Sequence, residues 1–250
     1  MENKLRQLSY RAQRQQIGKL NCVVVQPEST EAIQKILVLC HGFGASGEDL
    51  VGIAQEVIEA RQSMDAIQLI FPAAPLTLDD QGMPGARAWW LLSIARLISA
   101  MEEGRFEQVR EEVPEGIDAA RQLLTETIST ALEQAKLTEK NLVLGGFSQG
   151  AMLAMDVALR GLANPPAAMC LYSGALICEG QWREAAPRLS GCQVFQSHGK
   201  QDPILPFTMG VWLRELLNSS GCELDFLEFN GPHTIPWEAI ERTSQLLDNV

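Results

Sequence analysis

Short β-rich runs, several of them continuously apolar, recur along this chain with longer helical stretches between them, and few architectures accept such an alternation. The runs are Cys22–Val25, Ile36–Cys40, Ile67–Phe71, Leu142–Phe147, Ala168–Tyr172, Gln193–Gln196 and Leu224–Phe229. A strand with one wet face alternates apolar and polar residues, whereas unbroken apolar runs fit parallel strands covered on both faces. Between the runs, Glu48–Arg61, Glu115–Ala135, Ala151–Arg160, Pro206–Asn218 and Pro236–Leu247 read as helices. In the second of these, Ile117, Ala120, Leu124, Ile128, Ala131 and Ala135 return at helical spacing. The pattern predicts an α/β fold: a mostly parallel open sheet, right-handed crossovers and helices on both faces. With 250 residues and no repeat, low-complexity tract or long linker, residues 1–250 are expected to form one domain.

From about Pro72 to Pro114 no strand is evident. The stretch is Pro-rich, carries Trp89 and Trp90, then turns acidic, with six Glu and two Arg between Glu102 and Glu115. Insertions between core elements often cover active sites, so a short cap or loop insertion near 76–114 is expected.

Asn141–Gly150 reads N-L-V-L-G-G-F-S-Q-G, with Gly146-Phe147-Ser148-Gln149-Gly150 forming G-x-S-x-G. The pentapeptide alone is a modest signal. Its position directly after an apolar strand and before a helix is what a nucleophile elbow requires. Gly146 and Gly150 leave room for the backbone to turn back on itself.

A serine hydroxyl is a weak nucleophile until a base takes its proton. The chain has three histidines: His41 in C-H-G-F-G, His198 in S-H-G-K-Q-D-P and His233 in N-G-P-H-T-I-P. On this fold the order is nucleophile, acid, histidine, which selects His233 as the base. Among the carboxylates between them, Asp156 falls on the helix after the elbow and Asp225 on a strand. Asp202 follows a strand and precedes a helix, so it is the expected orienter. An oxyanion hole needs two backbone N–H groups. Gln149 supplies one. Phe43, in the His41-Gly42-Phe43-Gly44 loop after an early strand, is the expected second. His41 and His198 are then structural, bracing the oxyanion loop and the Asp202 turn.

These blocks resemble the phospholipase/carboxylesterase group of α/β-hydrolases, which includes the acyl-protein thioesterases. They are L-C-H-G-F-G-A-S-G-E-D-L (39–50), F-P-A-A-P (71–75), R-A-W-W (87–90), G-G-F-S-Q-G-A-M (145–152), H-G-K-Q-D-P-I-L-P (198–206) and G-P-H-T-I-P (231–236). The resemblance implies a serine hydrolase of the α/β-hydrolase fold, without metal or other cofactor, acting on carboxylic esters, thioesters or lysophospholipids. By position it implies Ser148, Asp202 and His233 as the triad and Phe43 and Gln149 as the oxyanion hole. It adds Trp89 and Leu205 as residues of the substrate pocket. Pro232, where the family often has glycine, and the acidic 91–114 segment depart from the pattern.

The formal charge of −11 argues against a nucleic-acid partner, which needs a basic face. No apolar run reaches the length of a membrane span. Residues 1–20 read as an ordinary polar segment despite Lys4, Arg6, Arg11, Arg14 and Lys19. Six cysteines without a C-x-x-C pair, most of them in apolar runs, point to free buried thiols and a cytoplasmic protein. A homodimer is compatible with the sequence. Two rivals to an ester or thioester hydrolase stand beside it: a lysophospholipase or lactonase on the same fold, and a catalytically silent module that binds an acyl ligand.

Overall fold

The predicted strands, with one more at the N-terminal side, lie side by side in one eight-stranded sheet of order β1-β2-β4-β3-β7-β8-β9-β10. The computed structural model describes residues 9–29, 32–92 and 107–250. The strands are β1 (Tyr10–Ile17), β2 (Leu20–Pro27), β3 (Lys35–Cys40), β4 (Ile67–Pro72), β7 (Leu142–Phe147), β8 (Ala168–Tyr172), β9 (Gln193–Gly199) and β10 (Glu223–Phe229). Pairs from β4 through β3, β7, β8 and β9 to β10 are parallel; β1–β2 and β2–β4 are antiparallel. This is the α/β-hydrolase fold that the sequence predicts.

Every residue of β3 is buried, and the reason is visible in where its side chains go. Ile36, Val38 and Cys40 join one core, together with Val24, Ile70, Leu144 and Leu171. Leu37 and Leu39 join the other, with Val23, Val25, Leu69 and Phe71. Successive side chains of a strand point to opposite faces, so a strand covered on both must be apolar throughout. Helices α3 (Ile117–Ala135), α4 (Gln149–Arg160) and α6 (Phe207–Ser220) cover the first face, and α1 (Ile53–Ala60) and α7 (Trp237–Asn249) the second.

Two strand regions depart from expectation. The polar N-terminal segment contains β1, so Arg11 and Arg14 lie on an edge strand rather than in irregular chain. Its side chains are mostly exposed or half-buried, which removes the apolar signature, while the backbone pairs with β2 along the full length from Tyr10↔Pro27 to Ile17↔Leu20. The 72–114 region also holds a strand pair: β5 (Leu76–Thr77) pairs antiparallel with β6 (Arg87–Ala88). Two-residue strands are too short to show any period. A short helix α2 (Glu107–Glu111) precedes α3, and α5 (Glu179–Ala185) follows β8; neither was expected. The expected cap near 76–114 falls partly on residues 93–106, which lie outside the described residues, as do Lys4 and Arg6.

Helix α4, which carries the elbow, is anchored by a buried charge. Asp156, fully buried, meets Arg121 of α3 at 2.8 Å, Arg160 at 3.0 Å and the indole N–H of Trp182 in α5 at 2.9 Å. Removing one member of such a group leaves uncompensated charge in the interior, at a cost of about 3–5 kcal/mol. Asp156→Ala should therefore lower the urea unfolding midpoint by that equivalent. A change under about 0.5 kcal/mol would show that the cluster is solvated.

The cysteines are free, and all but Cys222 are buried. Burial pushes the thiols of Cys22, Cys170, Cys178 and Cys192 up to about 12, so they are protonated and inert at neutral pH. Among the described residues, no helix is long and apolar enough to cross a membrane, and no cluster of His, Cys, Asp and Glu has the grouping of a metal site.

Candidate active site

Ser148, Gln149, Asp202, Leu205, His233 and Phe43 lie on loops or turns at the carboxyl ends of the parallel strands or at the start of the helix that follows, and Trp89 directly follows β6 of the short antiparallel ribbon. Ser148 sits between β7 and α4 with φ 55° and ψ −118°, a backbone conformation that L-residues rarely adopt. Its N–H donates to the Tyr172 carbonyl at 2.9 Å, fastening the turn to β8. The turn exists because its neighbours are small. A methyl group at Gly150 would collide with the Cys40 carbonyl oxygen, and one at Gly42 would meet Ser148 Cβ at 3.3 Å. The early-strand loop and the elbow are thus packed backbone against backbone.

Asp202 and His233 come from different strand ends and meet. His233 Nδ1 lies 2.6 Å from Asp202 Oδ2. The other carboxylate oxygen accepts the N–H groups of Ile204 at 2.9 Å and Leu205 at 2.8 Å. Burial, the strongest single influence, pushes the Asp202 carboxyl up. The hydrogen bonds from His233 and the two backbone amides, with the charge of His233, outweigh it and hold the group below the ordinary aspartate value. The His233 ring packs on Phe147, the residue before Ser148, with centroids 4.6 Å apart. The two ring planes are tilted by 45°, and the contact sets the imidazole against the residue that leads into the elbow.

The two other histidines brace the loops around this pair. His41 Nδ1 lies 2.8 Å from the Gly42 carbonyl, and Nε2 accepts the Ala74 N–H at 3.0 Å. His198 donates from Nε2 to the Leu205 carbonyl at 2.8 Å, with Asp202 Oδ2 at 3.4 Å. Burial lowers both below the ordinary histidine value, against the carbonyl contacts that favour the charged form. Because the folded values are depressed, the unfolded chain takes up protons first as pH falls. Stability is full above the unfolded value of about 6.5 and is lost as pH falls toward the folded values. The urea midpoint should be lower at about pH 5.5 than at about pH 7.5, and His198→Gln should reduce that difference. An unchanged midpoint in the parent chain would contradict this.

Phe43 is half-buried, its ring against the small cluster of Leu78, Ala86 and Ala88 beside the β5–β6 ribbon. On its far side, the Gly44 N–H donates to the Arg87 carbonyl and the Arg87 N–H to the Ala45 carbonyl, which ties the loop to β6. Trp89 is 1% exposed and its indole N–H donates to the His41 carbonyl at 2.9 Å; Leu205 is 4% exposed and its backbone serves Asp202 and His198. Ile204, two positions after Asp202, is 52% exposed. Trp237, also 52% exposed, stands four positions after His233.

Residues 20–250 match the family described as Phospholipase/Carboxylesterase. Acyl-protein thioesterase 1 of Mycosarcoma maydis is 27% identical over 244 residues, covering 92% of this chain and 97% of that protein. The crystal structure of esterase PE8 superposes with a TM-score of 0.74 at 22% identity, covering 97% of this chain and all of that one. A carboxylesterase from Mesorhizobium loti superposes with a TM-score of 0.72 at 16% identity, covering 96% of this chain and 99% of that one. The two structural matches speak to the fold.

Proposed function

The chain belongs to the phospholipase/carboxylesterase family and is an ester-bond hydrolase, and from that premise we propose that it cleaves carboxylic esters and thioesters through Ser148, His233 and Asp202. The observation that carries this reading is the 2.6 Å contact of His233 with Asp202, made by an imidazole that packs on Phe147, the residue before a serine held on a strained turn. Ser148 Oγ attacks the acyl carbon as His233 Nε2 takes its proton. Asp202 holds Nδ1–H and stabilises the imidazolium. The N–H groups of Phe43 and Gln149 receive the oxyanion, where each donor is worth about 2.7–4 kcal/mol. His233 returns the proton to the departing alcohol or thiol, leaving an acyl-enzyme. A water deprotonated by His233 then releases the acid.

Thioesters join esters in the reading for two reasons. The relative from Mycosarcoma maydis is named for thioester cleavage. A thiolate also leaves more readily than an alkoxide and leans less on the proton from His233. The exposed side chains of Ile204, two positions after Asp202, and Trp237, four after His233, support an apolar acyl group as the part of the substrate that the site receives. The test is a matched set of ester, thioester and amide with one acyl chain. Turnover of the first two, with the amide far slower, is expected. Failure to cleave either ester or thioester would refute the proposal.

A further inference from the structure

The mechanism uses the backbone of Gln149, but the residue is 1% exposed and both ends of its side-chain amide are hydrogen-bonded. Its carbonyl Oε1 accepts the Trp89 N–H at 3.0 Å, and its Nε2 donates to the Trp90 carbonyl at 2.8 Å. One terminal group thus serves a donor and an acceptor on adjacent residues. A side-chain amide does this; an ionised carboxylate only accepts and a thioether does neither usefully.

The segment that Gln149 grips is the one that carries the oxyanion loop. The Trp89 indole donates to the His41 carbonyl, and its ring lies 5.6 Å from the His41 ring. Two residues earlier, Arg87 exchanges backbone hydrogen bonds with Gly44 and Ala45. Loop 41–45 is therefore fixed to residues 87–89, and residues 89–90 are fixed to the first residue of the elbow helix. We propose that the Gln149 side-chain amide is a positioning residue that sets the oxyanion loop against the elbow, acting through the Trp89 indole. Both proposed oxyanion donors, Phe43 N–H and Gln149 N–H, are then placed by one connected network. An oxyanion hole works only when its donors are preorganised at the position the developing charge will occupy. The inference rests on the hydrolytic reading above.

The experiment compares the parent chain with Gln149→Met, Trp89→Phe and the double variant on p-nitrophenyl butyrate. Active sites are counted with a fluorophosphonate, so that turnover is expressed per competent site. Gln149→Met should lower kcat per titrated site by about 100-fold, the loss of roughly one oxyanion donor. KM should move by less than about threefold, because the interaction is made in the transition state. Trp89→Phe, which deletes the indole N–H together with the five-membered ring that carries it, should lower kcat in the same sense. The double variant should be little worse than Gln149→Met, since both break one path. A merely structural role would lower the number of titratable sites and leave kcat per site alone. That result for either single variant, or multiplicative losses in the double, would overturn the inference. An inactive, unlabelled parent chain would instead overturn the hydrolytic reading itself.

Discussion

Ser148→Ala should lose about six orders of magnitude in kcat while folding as the parent chain does. The alanine keeps Cβ, so it inherits the same strained backbone, φ 55° and ψ −118°, and the same hydrogen bond from its N–H to the Tyr172 carbonyl. Only Oγ is removed. Its loss deletes the nucleophile and with it the acyl-enzyme route. What remains is the oxyanion hole and substrate binding, together worth about 10³–10⁴ over uncatalysed hydrolysis. The check is turnover per folded molecule, with thermal unfolding to establish equal stability. Turnover within about tenfold of the parent chain would remove Ser148 from the chemistry.

Asp202→Asn should lower kcat by about 10⁴-fold with little loss of fold. The reasoning follows from how the carboxylate is held. Oδ1 accepts two backbone N–H groups, from Ile204 and Leu205, so the asparagine carbonyl must occupy that place. The amide NH₂ is then turned toward His233, where Oδ2 accepted from Nδ1 at 2.6 Å. A donor there forces Nδ1 to be the acceptor and puts the proton on Nε2, the nitrogen that must take the proton of Ser148. The imidazole stays in position in the wrong tautomer. Steady-state kinetics on the preferred ester measures this. A loss under about tenfold would mean that Asp202 orients nothing that matters to the reaction.

Much of this was legible in the sequence because the constraints are local. The runs 36–40 and 142–147 are apolar throughout because both faces of the sheet are covered, and that leaves a mark on composition. The elbow requires small residues within two positions of the serine, so it appears as a motif. The Asp202–His233 contact could be anticipated from chain order on the fold, though the two residues come from separate strands. What escaped was structure whose stabilising groups are backbone or distant. Strand β1 has a polar face and is held by its ladder with β2. The β5–β6 pair is too short to show a period. The brace from Gln149 to Trp89 and Trp90 spans about sixty positions and involves main-chain atoms, which every residue carries. Asp156 was legible as a helix residue, but its partners Arg121 and Trp182 come from two other helices.

The central claim is that Ser148 is an activated nucleophile. The most direct measurement is reaction of the purified protein with a fluorophosphonate probe, followed by mass analysis of the labelled peptide, with Ser148→Ala treated in parallel. The account predicts one label per chain, carried by Ser148, and none on the variant. A well-folded parent chain that takes no label, or a Ser148→Ala chain that takes it equally, would contradict the account.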